Sequence, residues 1–462
     1  DDGSDSSEDN SDGDLQLRCR AISQTNHRSQ QQRPTPVLPL SASSNASSLE
    51  LSGVLLASCH IKSASALVWD LASRRVVSTF GGDRSAPGLA LERLGSYGNQ
   101  QHQQCPKFFY QTRNEEGTVS IHVVANGTGI ETSMEIETYS RSFCKAAPCH
   151  GNPHLVALPS ANEAWVTIRD IRVDPKRAPI ATLHGGGLSG ITSSFNHTVS
   201  FDDDTNRQYG MVTSLAMADA PEMNDALSIP QSSSTILACG MESGHVFFHD
   251  LAMLKDSPFS FKSPEKDQEP LSNGPTNSYQ EVPHSSIQMG KNPILCLDVS
   301  PSCPTRNGTG HEGLSRSVVA VAGAAGDAAE LSELPEKDRG TVGVIKAWCS
   351  ISGDSDENGT SASNGDNSMK ARLRSRVGTC RIDDHGGKPG VSICRFRPHD
   401  GAIFAVGGWD RRVRVFGRSS AKPLAILRGH TESVTAIDWA PQYSGILSTG
   451  SSDGRISIWK LE

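Results

Sequence analysis

The sequence predicts an all-β fold, a seven-bladed β-propeller interrupted by long disordered loop insertions. Three observations predict it. A unit of short strands recurs along the chain, and its last copy holds four polar residues at a spacing that ties a turn to a strand. The length left over after seven units lies in stretches poor in apolar residues. Hydrophobic residues make up 36 % of the chain and aromatics 5 %, too few for 462 residues folded throughout.

The clearest copy spans residues 427–462. Val434, Ala436, Ile437 and Trp439 form one strand, Ile446 to Thr449 a second, and Ile456, Ile458 and Trp459 a third. Asp453-Gly454 makes the tight turn between the last two. The copy before it, 391–427, keeps the same order, with a Gly-Trp-Asp turn and an outer strand at 423–427. Fainter copies end at 53–80 and 235–251, and another places strands at 294–300, 317–325 and 340–350. Two more have third strands at 117–124 and 163–171. The blades then fall at 35–80, 81–125, 135–185, 208–252, 290–350, 377–422 and 423–462. Seven repeats of ~40–45 residues need roughly 295. The surplus sits in Ser-, Gly-, Asn-, Asp- and Pro-rich stretches at 81–104, 186–207, 252–290, 301–316 and 351–376, read as mobile surface loops.

His430, Thr449, Asp453 and Trp459 are the four polar residues of the last copy. Each would cost about 1–3 kcal/mol buried alone, whereas together they satisfy one another and set the blade's register. Other copies keep fragments: Asp410 with Phe416, Trp69 with Asp70, and Trp348. Those blades are expected to rely on apolar packing more than on a polar relay. The chain stops after the third strand of the last blade, so the outer strand there should come from the other end, at Leu15–Ile22.

The net charge of −8 argues against a general nucleic-acid binder, which shows a basic patch or stripe. Eleven cysteines without clustered spacing, four of them (Cys59, Cys239, Cys296, Cys394) in apolar runs, fit buried thiols in a reducing compartment. No apolar run is long enough to span a membrane and no secretory signal is visible. The sequence begins at Asp1 and not at Met. Its first 14 residues are acidic and lack large apolar side chains, and read as a disordered solubilising tail whose serines suit an acid-directed kinase.

Chemistry is sparse. No phosphate-binding loop is present, and His184 with Gly185, Gly186 and Gly187 lacks the serine elbow that would make it an oxyanion loop. Cys144, Cys149, His150 and His154 do not have finger spacing, and Cys144 should lie in an inner strand as core. Sequons at Asn126 and Asn196 lie in polar loops and carry no meaning in a chain that is not secreted. No acidic or histidine set is seen to converge on a central channel. No catalytic, cofactor-binding or metal residue is therefore assigned. The candidate partner surface is Trp409 with Arg411 and Arg412, in the turn before a third strand. Two readings stand: an exposed interface anchor, or an indole folded down on a neighbouring loop.

Residues 388–462 carry the order K-P-G-V, R-P, G-W-D-R-R-V-R-V-F and P-L-A-I-L, then the four-residue relay. This order resembles the family of ASTRA-associated protein 1 and G-protein β-subunit-like protein 1, which are WD40 propellers. Residues 69–82 and 237–251 fall at that family's first and fourth blades; the likeness is patchy over 35–387. The resemblance implies a non-catalytic scaffold of the ASTRA complex, acting in chromatin regulation and in the stability of PI3-kinase-like kinases. Its implied partners are the Tel–Tti cochaperone, Rvb AAA+ ATPases and PI3-kinase-like proteins, without direct nucleic acid or membrane contact. It implies the nucleus, with the cytoplasm as second compartment. Two alternatives stay open. A G-protein β-like signalling adaptor would want N-terminal heptads, absent from residues 1–34. A substrate receptor of a cullin ubiquitin ligase would carry its W-D-x-R string at the end of a third strand, not before one.

Overall fold

The computed structural model describes residues 19–26, 34–40, 55–60, 63–71, 73, 75–80, 88–94, 107–124, 130–150, 152, 154–177, 179–186, 209–220, 234–251, 284–301, 316–324, 341–350, 368–378, 390–398, 400–440 and 445–461. Short runs of alternating or wholly buried residues form the strands of which the described elements consist. After β1 (Cys19–Asn26), one sheet holds β2 (Pro34–Leu40), β3 (Leu55–His60), β4 (Ser63–Asp70) and β5 (Arg75–Phe80). The next holds β6 (Gly88–Leu94), β7 (Lys107–Thr112), β8 (Thr118–Val124) and β9 (Ile130–Glu137).

An eight-stranded sheet follows. One half is β10 (Ala147–His150), β11 (Leu155–Pro159), β12 (Trp165–Asp170) and β13 (Ala181–His184). The other is β14 (Val212–Ala220), β15 (Ser234–Met241), β16 (His245–Asp250) and β17 (His284–Gln288). The halves meet where β10 and β14 pair in parallel, Cys149 against Met217 and His150 against Ala218.

Four-stranded sheets then come from β18 (Ile294–Pro301), β19 (Arg316–Ala324), β20 (Thr341–Ser350) and β21 (Ser368–Gly378), and from β22 (Val391–Phe396), β23 (Ile403–Gly408), β24 (Arg412–Gly417) and β25 (Pro423–Arg428). The last is β26 (Val434–Trp439), β27 (Ile446–Ser451) and β28 (Arg455–Leu461), with β1 antiparallel on the outside.

Innermost strands touch in a closed circuit: β2 with β6, β6 with β10, then β14, β18, β22 and β26, which returns to β2. Apolar seams fill the gaps between neighbouring sheets. Val321 and Val344 meet Val391, Phe396 and Phe404 in one seam, and Ile393 and Val413 meet Val434, Trp439 and Trp459 in the next. Ile446 and Ile456 of the last sheet pack against Trp69 and Leu71 beside the first.

The structure moves several sequence expectations. The strand that completes the last sheet is Cys19–Asn26, not Leu15–Ile22; residues 19–22 are shared and 15–18 lie outside the described residues. β6 lies inside the stretch 81–104 read as loop, because Ser- and Gly-rich flanks hide a seven-residue strand. The second sheet ends at Glu137 and not at residue 125. β17 and β21 occupy ends of the stretches 252–290 and 351–376, so the sheets placed at 208–252 and 290–350 extend to Gln288 and Gly378. Both are water-facing outer strands, where HSSIQ and SMKARLRSRVG need no apolar face and so leave almost no periodic signal. The tail 1–14 and the loop stretches 187–207 and 302–315 lie outside the described residues.

Two histidines are held in the core. His122 stacks on Phe108 with ring centroids 5.5 Å apart, and its Nε2 and Nδ1 meet the hydroxyls of Ser120 at 2.9 Å and Thr132 at 3.2 Å. Burial lowers its pKa to about 4. His249 meets the Gly185 carbonyl at 3.2 Å; burial, then the neighbouring His284, lower it also to about 4. Unfolded, each titrates near 6.5. Their contribution is therefore complete above about pH 6.5 and is lost as pH falls toward about 4, roughly 3 kcal/mol for each. The melting temperature should fall steadily between pH 7 and 4.5, and His122→Gln should flatten that decline while lowering the plateau.

Candidate interaction surface

Antiparallel order sends the turns between second and third strands, and the loops that lead into first strands, to the same face of the ring. Its firmest corner is built by the last two sheets. Trp459 Nε1 donates to Thr449 Oγ1 at 2.9 Å, and His430 Nε2 lies 2.8 Å from the same oxygen. His430 Nδ1 meets Asp453 Oδ2 at a long 3.5 Å. One proton assignment serves the two short contacts, indole to hydroxyl and hydroxyl to Nε2, and leaves Nδ1–H facing the carboxylate without a hydrogen bond to it. Burial works against ionised Asp453, but His430 and the backbone N–H groups of Thr431 and Arg455 outweigh it and hold the carboxyl well below its usual range. Gly454, at φ 79°, lets the chain turn into β28.

The β22–β25 sheet does without the imidazole. Asp410 instead accepts from both terminal nitrogens of Arg414, at 3.1 and 2.6 Å, with both side chains buried. Asp410's sheet, expected to rely on apolar packing more than on a polar relay, thus carries a buried ion pair as well. In the first sheet, Trp69 Nε1 donates to Ser58 Oγ at 3.0 Å, a fragment of the same relay.

Trp409 is half-buried. A Cβ on Gly390 would lie 2.5 Å from its ring, so the indole rests on that glycine. The Trp409 N–H donates to the Gly390 carbonyl at 3.0 Å. Thus the indole is folded down yet keeps one side toward solvent. Arg411 follows in a left-handed conformation, φ 70°. Glycine holds the residue before the third strand in three other turns: Gly117, Gly244 and Gly454. An arginine there costs about 1–2 kcal/mol. Arg412 opens β24 directly opposite Arg428.

Two aromatics on this face were missed from sequence. Phe143 is 63 % exposed under the guanidinium of Arg113 at 3.7 Å, and Tyr139 is 54 % exposed. They sit in the loop between β9 and β10; Cys144, expected in an inner strand, lies in that loop too, since β10 begins only at Ala147. Phe143 also lines a cavity among the inner strands. Deeper in that cavity Arg395 forms ion pairs with Glu92 and, at 3.6 Å, with Asp298. So charged residues do converge on the channel, contrary to the sequence reading. They form an ion-pair node in which the carboxylates face a guanidinium.

The family model described as "WD domain, G-beta repeat" matches residues 421–460. The chain carries a WD40 repeat. Guanine nucleotide-binding protein subunit beta-like protein 1 of Mus musculus is 45 % identical over 73 residues, 16 % of this chain and 22 % of that protein. ASTRA-associated protein 1 of Schizosaccharomyces japonicus is 39 % identical over 75 residues, 16 % of this chain and 20 % of that one. The chain thus spans about a fifth of the length of these relatives. Among solved structures, the β-propeller domain of Myceliophteria thermophila Cps50 (Swd1) aligns with 93 % of this chain and all of that domain, at a TM-score of 0.51 and 14 % identity. That likeness establishes the WD40 β-propeller fold.

Among the described residues no group of His, Cys, Asp or Glu is placed to hold a metal ion. Cys144 is core, with burial pushing its thiol up to about 12, and the Cys149 thiol lies 3.4 Å from Asp219. The side chain of His150 lies outside the described residues. Among the described residues no helix is long and apolar enough to cross a membrane.

The WD40 relay predicts a specific lesion. Thr449→Val keeps the shape but leaves Trp459 Nε1 and His430 Nε2 without partners, a loss of about 2–5 kcal/mol. Chemical denaturation should show the midpoint falling with the slope unchanged.

Proposed function

We propose that the chain is a non-catalytic, seven-bladed WD40 scaffold that assembles protein subunits in the manner of the ASTRA-associated proteins. The eight-stranded sheet is read as two blades fused by the short parallel pairing of β10 and β14, which with five four-stranded sheets makes seven. The partners proposed are the Tel–Tti cochaperone, Rvb AAA+ ATPases and PI3-kinase-like proteins, and the setting is chromatin regulation and kinase stability in the nucleus. Relatives named for ASTRA association and for G-protein β likeness support this reading, as does the motif order of residues 388–462.

One observation carries the choice of surface. Trp409 is held half-open on Gly390 and followed by Arg411 in a backbone conformation that glycine serves elsewhere in this ring. A half-open indole beside an arginine in a left-handed turn brings aromatic surface and positive charge together, the make-up of an interface anchor. Trp409, Arg411 and Arg412 are therefore the proposed partner surface, with Phe143 and Tyr139 farther round the same face.

Affinity capture of the tagged chain followed by mass spectrometry tests this. Tel–Tti and Rvb subunits should be recovered, and Trp409→Ala should deplete them several-fold while moving the melting temperature by no more than about 3 °C. Recovery of a Gγ-like subunit or a cullin adaptor in their place would reject the assignment. Unchanged recovery by Trp409→Ala would move the surface elsewhere.

A further inference from the structure

The channel raises a question that the rim does not answer. Glu92, Asp298, Arg395 and Asp438 are each the fifth residue of their inner strands, β6, β18, β22 and β26. A shared depth in four strands puts them in one layer around the axis. Three carboxylates and one guanidinium make that layer acidic overall. Arg395 reaches Glu92 and Asp298, which belong to different sheets, and its side chain is 21 % exposed against 12 % and 3 % for theirs. The Phe396 N–H donates to Asp298 Oδ2 at 2.6 Å, and Trp439 Nε1 donates to the Arg395 carbonyl at 3.2 Å. The carboxylate and the arginine backbone are thus both held before the guanidinium is placed. Above the node the cavity continues past Ser392 and Thr213 toward Phe143.

From this geometry we propose that the charged layer is a guanidinium-binding site filled in cis by Arg395. Its planar, multidonor head suits two carboxylates presented from different sheets, where an ammonium would serve as a point charge. Occupied from within, the channel is closed to cationic side chains of other molecules, and recognition is left to the rim. Arg395 also spans the ring, so the same contact ties the sheets of β6, β18 and β22 together. This inference stands apart from the identity of any partner.

Thermal melts of the full chain with added small cations test it. Arg395→Ala should melt about 5 °C or more lower, as expected when one side of a buried pair is removed. Millimolar methylguanidinium should restore at least half of that loss, and methylammonium should not. The unaltered chain and the double variant Arg395→Ala/Glu92→Gln should not respond. Absence of selective restoration, or equal restoration in the double variant, would overturn the proposal. If Arg395→Ala does not fold, Arg395→Lys and Glu92→Gln carry the test. Each should lose stability, and together they should lose little more than the larger single loss; additive losses would overturn it.

Discussion

Everything in this fold depends on one antiparallel pairing between the two ends of the described chain. β1 runs alongside β28, with Cys19 opposite Leu461 and Asn26 opposite Arg455. Without it the last sheet has three strands and an open outer edge. An unpaired edge exposes a row of backbone donors and acceptors and invites pairing with another chain. The inner side is closed by different means: β26 contacts β2, and Ile446 and Ile456 pack on Trp69 and Leu71. Strand exchange outside and apolar packing inside therefore act on the same joint. Because both use residues far apart in sequence, the ring gains this stability only once nearly all of the chain has been ordered.

Within that ring the sheets solve one local problem in different ways. A turn carboxylate, or the strand beside it, must be tied down where water is scarce. In the last sheet Asp453 accepts from Thr431 and from the Arg455 backbone N–H, with the His430–Thr449–Trp459 chain beside it. Its neighbour gives Asp410 the guanidinium of Arg414 in the same strand pair. The first sheet keeps only an indole on a serine, Trp69 to Ser58. Backbone N–H groups beside a polar relay and a buried bidentate ion pair both satisfy a turn carboxylate, so a missing histidine does not leave the sheet without polar ties. The node at Arg395 extends the same logic across the channel.

How much of this could be read from the residues follows from which faces are buried. A strand packed on both sides, such as β23, is apolar throughout and stands out. Outer strands such as β17 face water and do not. The relay residues were legible because their spacing joins fixed points of one hairpin. Trp409 was legible as a candidate, but its seat on Gly390 required the fold. Cys144 reads as strand because it is core, yet it lies in the loop before β10, and Phe143 beside it is exposed. The charged layer left a trace that was not used. Glu92, Asp298, Arg395 and Asp438 each follow two or more apolar residues at the same depth of an inner strand. Only superposition of the strands shows that these four charges share one layer.

The central claim is that residues at one end of the chain complete the sheet at the other. Calorimetry on two shortened chains tests it most directly. Removing residues 1–14 takes away no part of β1 and should leave the melting transition within about 1 °C of the full chain. Removing residues 1–26 strips the outer strand from β28 and should lower the transition by about 5 °C or more, with association of the exposed edge at higher concentration. Equal melting of the two shortened chains would contradict the closure.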